Sequence, residues 1–501
     1  MSQQVEMKKT LGLTGVTVNA MALIAPGAFL WLTFQMQAAQ VDLSGQTTAM
    51  DIFAGLGVAL ILGFLTAISY SLLSEMYPEA GAGSSYYFAE RSFMNEKSKL
   101  SNFSRLSKYI VGWFSHLYYW VYPGVMVAMF ATMFSYICSQ FGLTLSPFAN
   151  IIIAVVFAAI TGAVAYRGIN GSTMSSVIIN IIQIITLVFV TVLALIYRIT
   201  NPQHVEFVHK SLSSVVLPHS FSNVMFQATI AILLLVGFES ATALAGEAKS
   251  PKHVSRGVIL SLVLQGLVFY VFEYFGAVAW LNTSYKVGGK VGIDAAAASG
   301  APIGDMVRIL GDTLLNNTGF ILMIVVAISV AIAVFGSTLA CMNTGVRVTY
   351  AMAKDQEVPS VLGILHSRHA TPHTAVWIIT IVSAVIGAIG VLSITNLTAV
   401  TLLSNIGTFI LYGMTNLISL VAFLRHPTRN AVLHIVVPIL GFLANIGMLV
   451  AVLFLGILGG GATQVAAMAA MVATVVWLII GMVYLVVNSK KLNRSIVASK
   501  K

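Results

Sequence analysis

The sequence predicts an all-α integral membrane protein with about twelve transmembrane helices. Composition, the lengths of the apolar segments and the placement of basic residues support this fold class. Hydrophobic residues make up 58% of the 501 residues and charged residues only 8%, against about 45–50% and 25% in ordinary globular proteins. Because a soluble chain of this length could not cover its surface with so few charges, apolar surface must face lipid.

About twelve apolar segments are long enough to cross roughly 30 Å of hydrocarbon as helices. Short polar connectors separate most of them. Two connectors are longer: 78–108 is rich in Ser, Lys and Arg, and 282–315 contains Gly288 and Gly289. The segments, called spans 1 to 12 below, are 16–38, 52–76, 109–138, 149–167, 172–198, 221–247, 255–281, 316–348, 373–392, 396–424, 432–456 and 463–487.

The basic residues predict the orientation of these spans. With the N-terminus in the cytoplasm, 21 of the 26 Lys and Arg residues lie on the cytoplasmic side, as the positive-inside rule requires. We therefore predict a cytoplasmic N-terminal segment, 1–15, and a basic cytoplasmic tail, 488–501. The apolar run after Lys9 shows no cleavage site, so we expect span 1 to be retained. The net charge of +10 then reflects topology, and no nucleic-acid partner is expected.

Spans 1 and 6 contain residues that interrupt a helix in mid-membrane. Pro26, followed by Gly27, lacks the N–H that a helix needs. Gly237 and Glu239 lie at a similar depth in span 6, and a carboxylate in hydrocarbon costs at least about 2.5 kcal/mol. Interrupted helices at corresponding positions of two halves indicate an inverted-repeat transporter with a midplane binding site. The simpler alternative is that Pro26 only kinks span 1.

Three polar segments carry a recognisable pattern. Span 6 and the loop after it contain GFESATALAGEAKSPKHVSR at 237–256. The segment after span 2 reads YPEAGAGSSYY at 77–87, and the segment after span 8 reads RVTYAMAKDQEVP at 347–359. In this order and spacing, the segments resemble the signatures of the amino acid–polyamine–organocation superfamily of permeases. The resemblance covers essentially the whole chain.

The resemblance implies a LeuT-like fold with a 5+5 inverted repeat. The first repeat corresponds to 16–198 and the second to 221–424, and two further helices follow at 432–487. It also implies a secondary active transporter that moves amino acids across the cell membrane by alternating access, through proton symport or substrate exchange. A polyamine or other organic-cation permease is the alternative. The implied partners are a small-molecule substrate and membrane lipid, for a monomer or homodimer without a cofactor.

A membrane-embedded enzyme or a channel is a different class of function. An enzyme should show an intramembrane nucleophile with a base, or a metal cluster, and a channel should show a repeated pore-loop filter. Neither pattern is apparent in the sequence. His366, His369 and His373 have suggestive spacing for a metal, but they lie in a loop that matches the superfamily without metal. We therefore predict a transporter that is not an enzyme and has no metal site.

The resemblance also implies which residues bind substrate. Free amides at the break in span 1 would hold a substrate carboxylate, supported by the positive end of the second half-helix. Backbone carbonyls at the break in span 6 would hold the ammonium group, and an aromatic side chain would close over the ligand. The implied residues are Ala25, Pro26, Gly27, Ala28, Phe29, Leu233, Val236, Gly237 and Phe238. Tyr119 and Tyr122 belong to an aromatic run in span 3 and are further candidates to line the cavity, with interior packing or an interfacial belt as the alternative.

Two glutamates are the predicted coupling residues. Glu239 matches a glutamate that links protonation to transport in arginine/agmatine-type relatives, although it could instead bond amides freed in the broken helix. Glu273, in span 7, could recognise a cationic substrate, snorkel to the interface or pack against a neighbouring helix.

The coupling ion remains open in the sequence. Span 5 lacks the Lys of many proton-coupled members and has Thr186 near that position. Ser337 and Thr338 in span 8 are the type of residue that sodium-coupled relatives use. We expect proton coupling, and sodium coupling and ion-independent exchange are the alternatives.

Overall fold

The computed structural model describes residues 10–24, 26–94, 102–167, 173–201, 211–280, 283–369, 371–424 and 426–498. Within these ranges, nine helices are long and apolar enough to cross a membrane, and Leu13–Ile24 and Phe221–Leu234 are shorter apolar helices. The fold class predicted from the sequence, an all-α membrane protein, is confirmed. Outside the helices, the only described strands form the two-residue hairpin Lys286–Val287 and Lys290–Val291.

The helices follow the predicted spans closely. Four of the spans are divided into pieces: span 1 into Leu13–Ile24 and Pro26–Ala38, span 6 into Phe221–Ala231, Ile232–Leu234 and Ser240–Ala243, span 7 into Pro251–Ser261, Leu262–Tyr270 and Val271–Trp280, and span 11 into Val432–Val436 and Val437–Leu458. The other spans are Ile52–Met76, Ser104–Gln140, Pro147–Tyr166, Thr173–Thr200, Gly319–Lys354, His373–Gly390, Ile394–Phe423 and Gly461–Lys491.

The breaks in spans 1 and 6 touch each other. The first helix of span 1 ends at Ile24 and the second begins at Pro26. At the first position of a helix, the N–H that proline lacks would have no partner within the helix, so proline costs no hydrogen bond there. Span 6 loses its helical backbone at Gly237, which has φ of +129°. A Cβ atom on Gly237 would lie 3.0 Å from the backbone nitrogen of Ile24. Glycine at this position therefore permits both the unusual backbone and the close approach.

Span 3 lies at the centre of the molecule, packed against spans 8, 9 and 10. Glycines bring these helices close to it. A Cβ on Gly407 of span 10 would lie 2.8 Å from the backbone nitrogen of Tyr118, and one on Gly387 of span 9 would lie 2.3 Å from the Val127 side chain. Close approach through small residues is how membrane helices gain packing energy in lipid. Span 3 is thus closely packed against three neighbouring spans.

The contacts between spans occur in matched pairs. Span 3 packs on span 8 and span 4 on span 9, while span 1 packs on span 7 and span 2 on span 6. Suppose that each of spans 1 to 5 exchanges its number with the corresponding one of spans 6 to 10. The pairs 3–8 and 4–9 are then unchanged, and the pair 1–7 becomes the pair 2–6. An inverted repeat would produce this pattern. The division into repeats at 16–198 and 221–424 stays a prediction.

The long connector before span 8 folds as a cap over one face of the molecule. This cap, residues 283–315, contains helices Gly292–Ala298 and Pro302–Leu314, and we call it the outer cap because the predicted topology places it outside the cell. The Asp305 carboxylate accepts hydrogen bonds from Tyr285 at 2.7 Å, from Ser299 at 2.5 Å and from Tyr136 of span 3 at 2.8 Å. Burial and the adjacent carboxylate raise the pKa of Tyr285. Its hydroxyl therefore remains a donor that ties the cap together.

Ion pairs join the helices on the opposite face, which we call the inner face. Arg105, at the start of span 3, makes a bidentate pair with Glu357 at 2.7 and 2.9 Å. Arg105 also donates to the Ser489 hydroxyl and to the Ser495 carbonyl. The backbone amides of Arg105 and Leu106 donate to the carbonyl of Val497. The C-terminal tail, residues 492–498, therefore packs against the inner ends of spans 3 and 8.

The described parts of the connector after span 2, residues 77–94 and 102–108, contain regular structure. They contain the helix Ser85–Phe93, and span 3 begins at Ser104, ahead of the predicted 109. Lys108 pairs with Glu90 of this helix and with Asp355 after span 8. These ion pairs allow charged residues to lie in packed positions, so hydropathy alone placed the start of span 3 too late.

Candidate functional site

The candidate site lies where the break in span 6 meets spans 1, 3 and 10. The Glu239 carboxylate is 1% exposed and is the acidic group at this break. It accepts hydrogen bonds from the Tyr412 hydroxyl of span 10 at 2.7 Å and the Tyr119 hydroxyl of span 3 at 3.3 Å. It also accepts one from the Gly237 amide at 2.9 Å. Three donors from three spans thus satisfy one buried carboxylate.

The backbone around Glu239 leaves acceptors available. Ile232 accepts from the amides of Leu235 and Val236, and the Gly237 amide turns to the Glu239 side chain. Within the described residues, no donor reaches the carbonyl oxygens of Leu233 or Val236. Unpaired carbonyls in a buried turn are costly unless a ligand or water satisfies them. These two oxygens therefore suit a donor group such as a substrate ammonium.

An aromatic cluster closes one side of the break. The Phe238 ring lies 5.3 Å from Tyr412 and 6.1 Å from Tyr70 of span 2, measured between ring centres. Tyr70 and Tyr412 are 6.0 Å apart, so the three rings form a triangle. All three are buried. Phe238 thus packs toward spans 2 and 10 in this conformation.

Span 8 contacts the end of the first helix of span 1. The Ser337 hydroxyl donates to the Leu23 carbonyl at 2.8 Å, whereas the Thr338 hydroxyl donates within its own helix to Val334. In span 5, the Thr186 hydroxyl bonds to Ile182 one turn earlier. The Asn180 amide reaches the Val18 carbonyl of span 1 at 3.4 Å. Asn180 therefore forms a side-chain hydrogen bond between spans 5 and 1.

Both faces of the site are closed. On the outer side, Gln35 of span 1 donates to Ala297 of the cap. On the inner side, Arg347 of span 8 pairs with Glu247 at 3.0 Å and donates to the Ala243 carbonyl. Because Glu239 and its neighbours are buried between these closures, the structure shows an occluded site.

A comparison with known sequences identifies the family. The profile of the amino acid permease family matches residues 9–488. The chain belongs to this family. The permease is thus a multi-pass membrane transporter of the amino acid–polyamine–organocation superfamily, as its sequence predicted.

Curated relatives of this permease have different named substrates. It is 23% identical over 397 residues to the branched-chain amino acid permease BcaP of Bacillus subtilis (strain 168), which covers 75% of this chain and 74% of that protein. It is 25% identical over 365 residues to BcaP of Lactococcus lactis subsp. cremoris (strain MG1363), covering 67% and 69%. It is 24% identical over 379 residues to the low-affinity putrescine importer PlaP of Escherichia coli (strain K12), covering 74% and 73%.

The structure brings several predicted site residues of the permease together. Gly237, Phe238, Glu239 and Tyr119 meet at the break in span 6. Tyr122 lies one turn from Tyr118, and their rings meet edge to face at 5.5 Å.

Other predicted residues of the permease lie partly or wholly outside the described part of the chain. Ala25 is not described. For Pro26 to Phe29 and for Glu273, only the backbone is described, as helix. Their predicted contacts with substrate or proton remain predictions.

The sequence did not single out Tyr412 or Tyr70. A signal was present in span 10, where polar side chains recur at helical spacing inside an apolar segment. That face is buried in the structure, and it consists of Asn405, Thr408, Tyr412, Thr415, Asn416 and Ser419. A buried polar stripe on a membrane helix indicates a cavity or a polar partner. The polar residues of span 10 therefore indicate that Tyr412 faces a cavity or a polar partner.

Metal coordination has no support within the described residues, where no group of three His, Cys, Asp or Glu side chains is placed to hold a metal ion. His366 and His369 stack on each other with ring centres 5.0 Å apart, and both lie beside Tyr166. The Nδ1 atom of His366 accepts from the backbone amides of Arg368 and His369. These contacts hold the loop before span 9 in place.

Proposed function

We propose that this permease is a secondary active transporter that moves amino acids across the cell membrane by alternating access. The observation that carries the proposal is the buried Glu239 carboxylate, held at the break of span 6 by donors from spans 3, 6 and 10. The break in span 1 provides amides at a helix start for a carboxylate, and Leu233 and Val236 provide carbonyls for an ammonium group. Together these groups match the two charges of an amino acid.

Proton coupling through Glu239 is the mechanism we propose. A carboxyl in a dry, occluded cavity favours its neutral form, and a wet, open cavity favours ionisation. Alternating access changes this exposure in every cycle, so the carboxyl would gain and release a proton as the site opens to each side. The three donors would then separate and reform with the cycle. Sodium symport and ion-independent exchange are the competing mechanisms.

A second substrate class has its own support. Glu239 has no Lys or Arg partner among the described residues, so its charge is available to a cationic ligand. A relative named as a putrescine importer aligns over 74% of the chain. A polyamine or other organic cation is therefore the alternative substrate. We further propose that the permease lies in the cell membrane with both termini in the cytoplasm, as a monomer or homodimer.

Reconstituted protein tests substrate and coupling together. Liposomes containing the permease would be given labelled branched-chain, basic and other amino acids and putrescine, with a pH gradient, a sodium gradient or neither. We expect amino acid uptake that a pH gradient drives uphill. Putrescine uptake without amino acid uptake would favour the alternative, and no uptake of any compound would contradict the proposal.

Glu239→Gln isolates the proton step. The variant keeps the shape of the side chain and remains neutral, so exchange of substrate at equal pH should persist while uphill uptake driven by pH is lost. Glu75→Gln, at an exposed glutamate near the end of span 2, is the matched control and should transport normally. If Glu239→Gln still accumulates substrate with an unchanged pH dependence, Glu239 is structural and Glu273 becomes the next candidate.

A further inference from the structure

Spans 2 and 7 line an open cavity at the inner face that the transport proposal does not use. Its volume is about 280 Å³, just below the range of about 300–1,000 Å³ that is usual for ligand sites. It is lined by Ser71 of span 2 and by Ser255, Arg256, Ile259 and Leu260 of span 7. A single water occupies roughly 30 Å³, so the space suits a larger group.

The cavity has a positive charge at its mouth. Arg256 is exposed and makes no ion pair or hydrogen bond among the described residues. Lys252 lies one turn earlier on the same helix face and is also exposed. The residues next to Arg256 are buried, because Gly257 packs against Val16 of span 1. The guanidinium therefore faces away from the protein core.

Two hydroxyl groups add a donor beside this charge. The Ser71 and Ser255 hydroxyls lie 2.7 Å apart and form a hydrogen bond with each other. A pair of hydroxyls has two hydrogens, and the bond between them uses one. No described acceptor takes the second hydrogen. A guanidinium and a free hydroxyl hydrogen on one wall are the donors that a phosphate oxygen needs.

The rest of the cavity is apolar and continues toward lipid. Ile259 and Leu260 follow Arg256 by about one helical turn, roughly 4.5–6 Å farther along the helix axis. Further along span 7, Leu264 and Leu267 are exposed at 38% and 46%. An ion that is free in water gains nothing from such a surface, whereas an acyl chain attached to a phosphate does.

We propose that this cavity binds an anionic glycerophospholipid of the inner leaflet, with its phosphate on Arg256 and the serine pair and its acyl chain along Ile259 and Leu260. The lipid would bridge spans 2 and 7, which pack against the broken spans 6 and 1. The proposed lipid site does not depend on which substrate the permease transports.

Native mass spectrometry of the purified permease with added phosphatidylglycerol or phosphatidylcholine tests the proposal. We expect wild-type protein to retain phosphatidylglycerol preferentially. Arg256→Gln should weaken that binding about fivefold, the effect of one basic residue near an anionic surface, and leave phosphatidylcholine binding unchanged. The matched control is Lys354→Gln, which removes an exposed inner-face charge beside the Tyr350 ring and should have no effect.

A second variant tests the cavity apart from its charge. Ile259→Trp fills the cavity while keeping Arg256, so it should also reduce phosphatidylglycerol binding. Size-exclusion chromatography reports whether the Ile259→Trp protein is folded. If it is not folded, the result for Arg256→Gln decides the test. Normal affinity in Arg256→Gln, or an equal loss in Lys354→Gln, would overturn the proposal. Displacement of the lipid by an equal concentration of inorganic phosphate would also overturn it and indicate a free-phosphate site.

Discussion

The Glu239 carboxylate depends on donors that are far apart in the chain. Tyr119 and Tyr412 are 120 and 173 residues away from it, and only the Gly237 amide is local. Sequence patterns identified Glu239 and Gly237, because a carboxylate and a glycine in mid-membrane are conspicuous. They did not show which tyrosines would reach the carboxylate, since that depends on how spans 3, 6 and 10 pack.

The two tyrosine hydroxyls should contribute unequally. Tyr412→Phe removes a 2.7 Å hydrogen bond to Glu239 and Tyr119→Phe removes one of 3.3 Å. A hydrogen bond contributes about 0.5–1.5 kcal/mol when the carboxyl is neutral and about 1.5–3 kcal/mol when it is ionised. We therefore expect Tyr412→Phe to lower uptake in liposomes severalfold, up to about tenfold, and Tyr119→Phe to lower it less. Both variants keep their rings and their packing. Equal uptake by Tyr412→Phe and wild type would show that this hydroxyl has no role in transport.

The sequence predicts the interruptions in spans 1 and 6 but not the one in span 7. Spans 1 and 6 carry Pro26 and Gly237, residues that a continuous helix excludes or disfavours. Span 7 changes to a wider π-helical turn at Leu262–Tyr270, and that segment contains no proline. Its one glycine, Gly266, does not mark the change, because the continuous helix of span 2 also contains glycines. Hydropathy therefore predicts where span 7 runs without predicting its change of pitch.

The break in span 6 should tolerate no side chain at Gly237. Gly237→Ala would force alanine into φ of +129° and bring its Cβ to 3.0 Å from the Ile24 nitrogen. Backbone strain of this kind costs about 1–3 kcal/mol. We expect a lower Tm in detergent and a loss of uptake. The control is Gly57→Ala in span 2, where a Cβ would meet nothing within 4 Å.

Comparable Tm values for Gly237→Ala and Gly57→Ala would mean that span 6 can rearrange to accept a methyl group. In that case the close contact between the breaks in spans 1 and 6 would not be required for the fold, and the geometry of the candidate site would need revision.

At the scale of the whole molecule, polar contacts hold together the helix ends on two opposite faces. The outer cap holds Asp305 with its tyrosines, and the inner face holds the pairs Arg105–Glu357 and Arg347–Glu247. The sequence predicted the two faces from counts of Lys and Arg. It could not predict the ion pairs, because each joins residues at least 100 positions apart.

The predicted orientation can be tested by labelling. Lys290 is exposed in the outer hairpin and Lys354 is exposed at the inner end of span 8. With Cys138 replaced by serine and Cys341 buried, Lys290→Cys should react with a membrane-impermeant maleimide in intact cells. Lys354→Cys should react only after permeabilisation. The opposite pattern would invert the topology and place both termini outside the cell.

The contacts of Arg105 also determine an order of events during synthesis. Its carboxylate partner Glu357 is 252 residues later in the chain, and the Ser489 hydroxyl that it binds is 384 residues later. At a translation rate of about 5–20 residues per second, the ribosome needs at least about 10 seconds to make Glu357 after Arg105. During that interval, burial of the unpaired guanidinium would be costly. The inner end of span 3 can therefore adopt its final packing only after span 8 and Glu357 have been made.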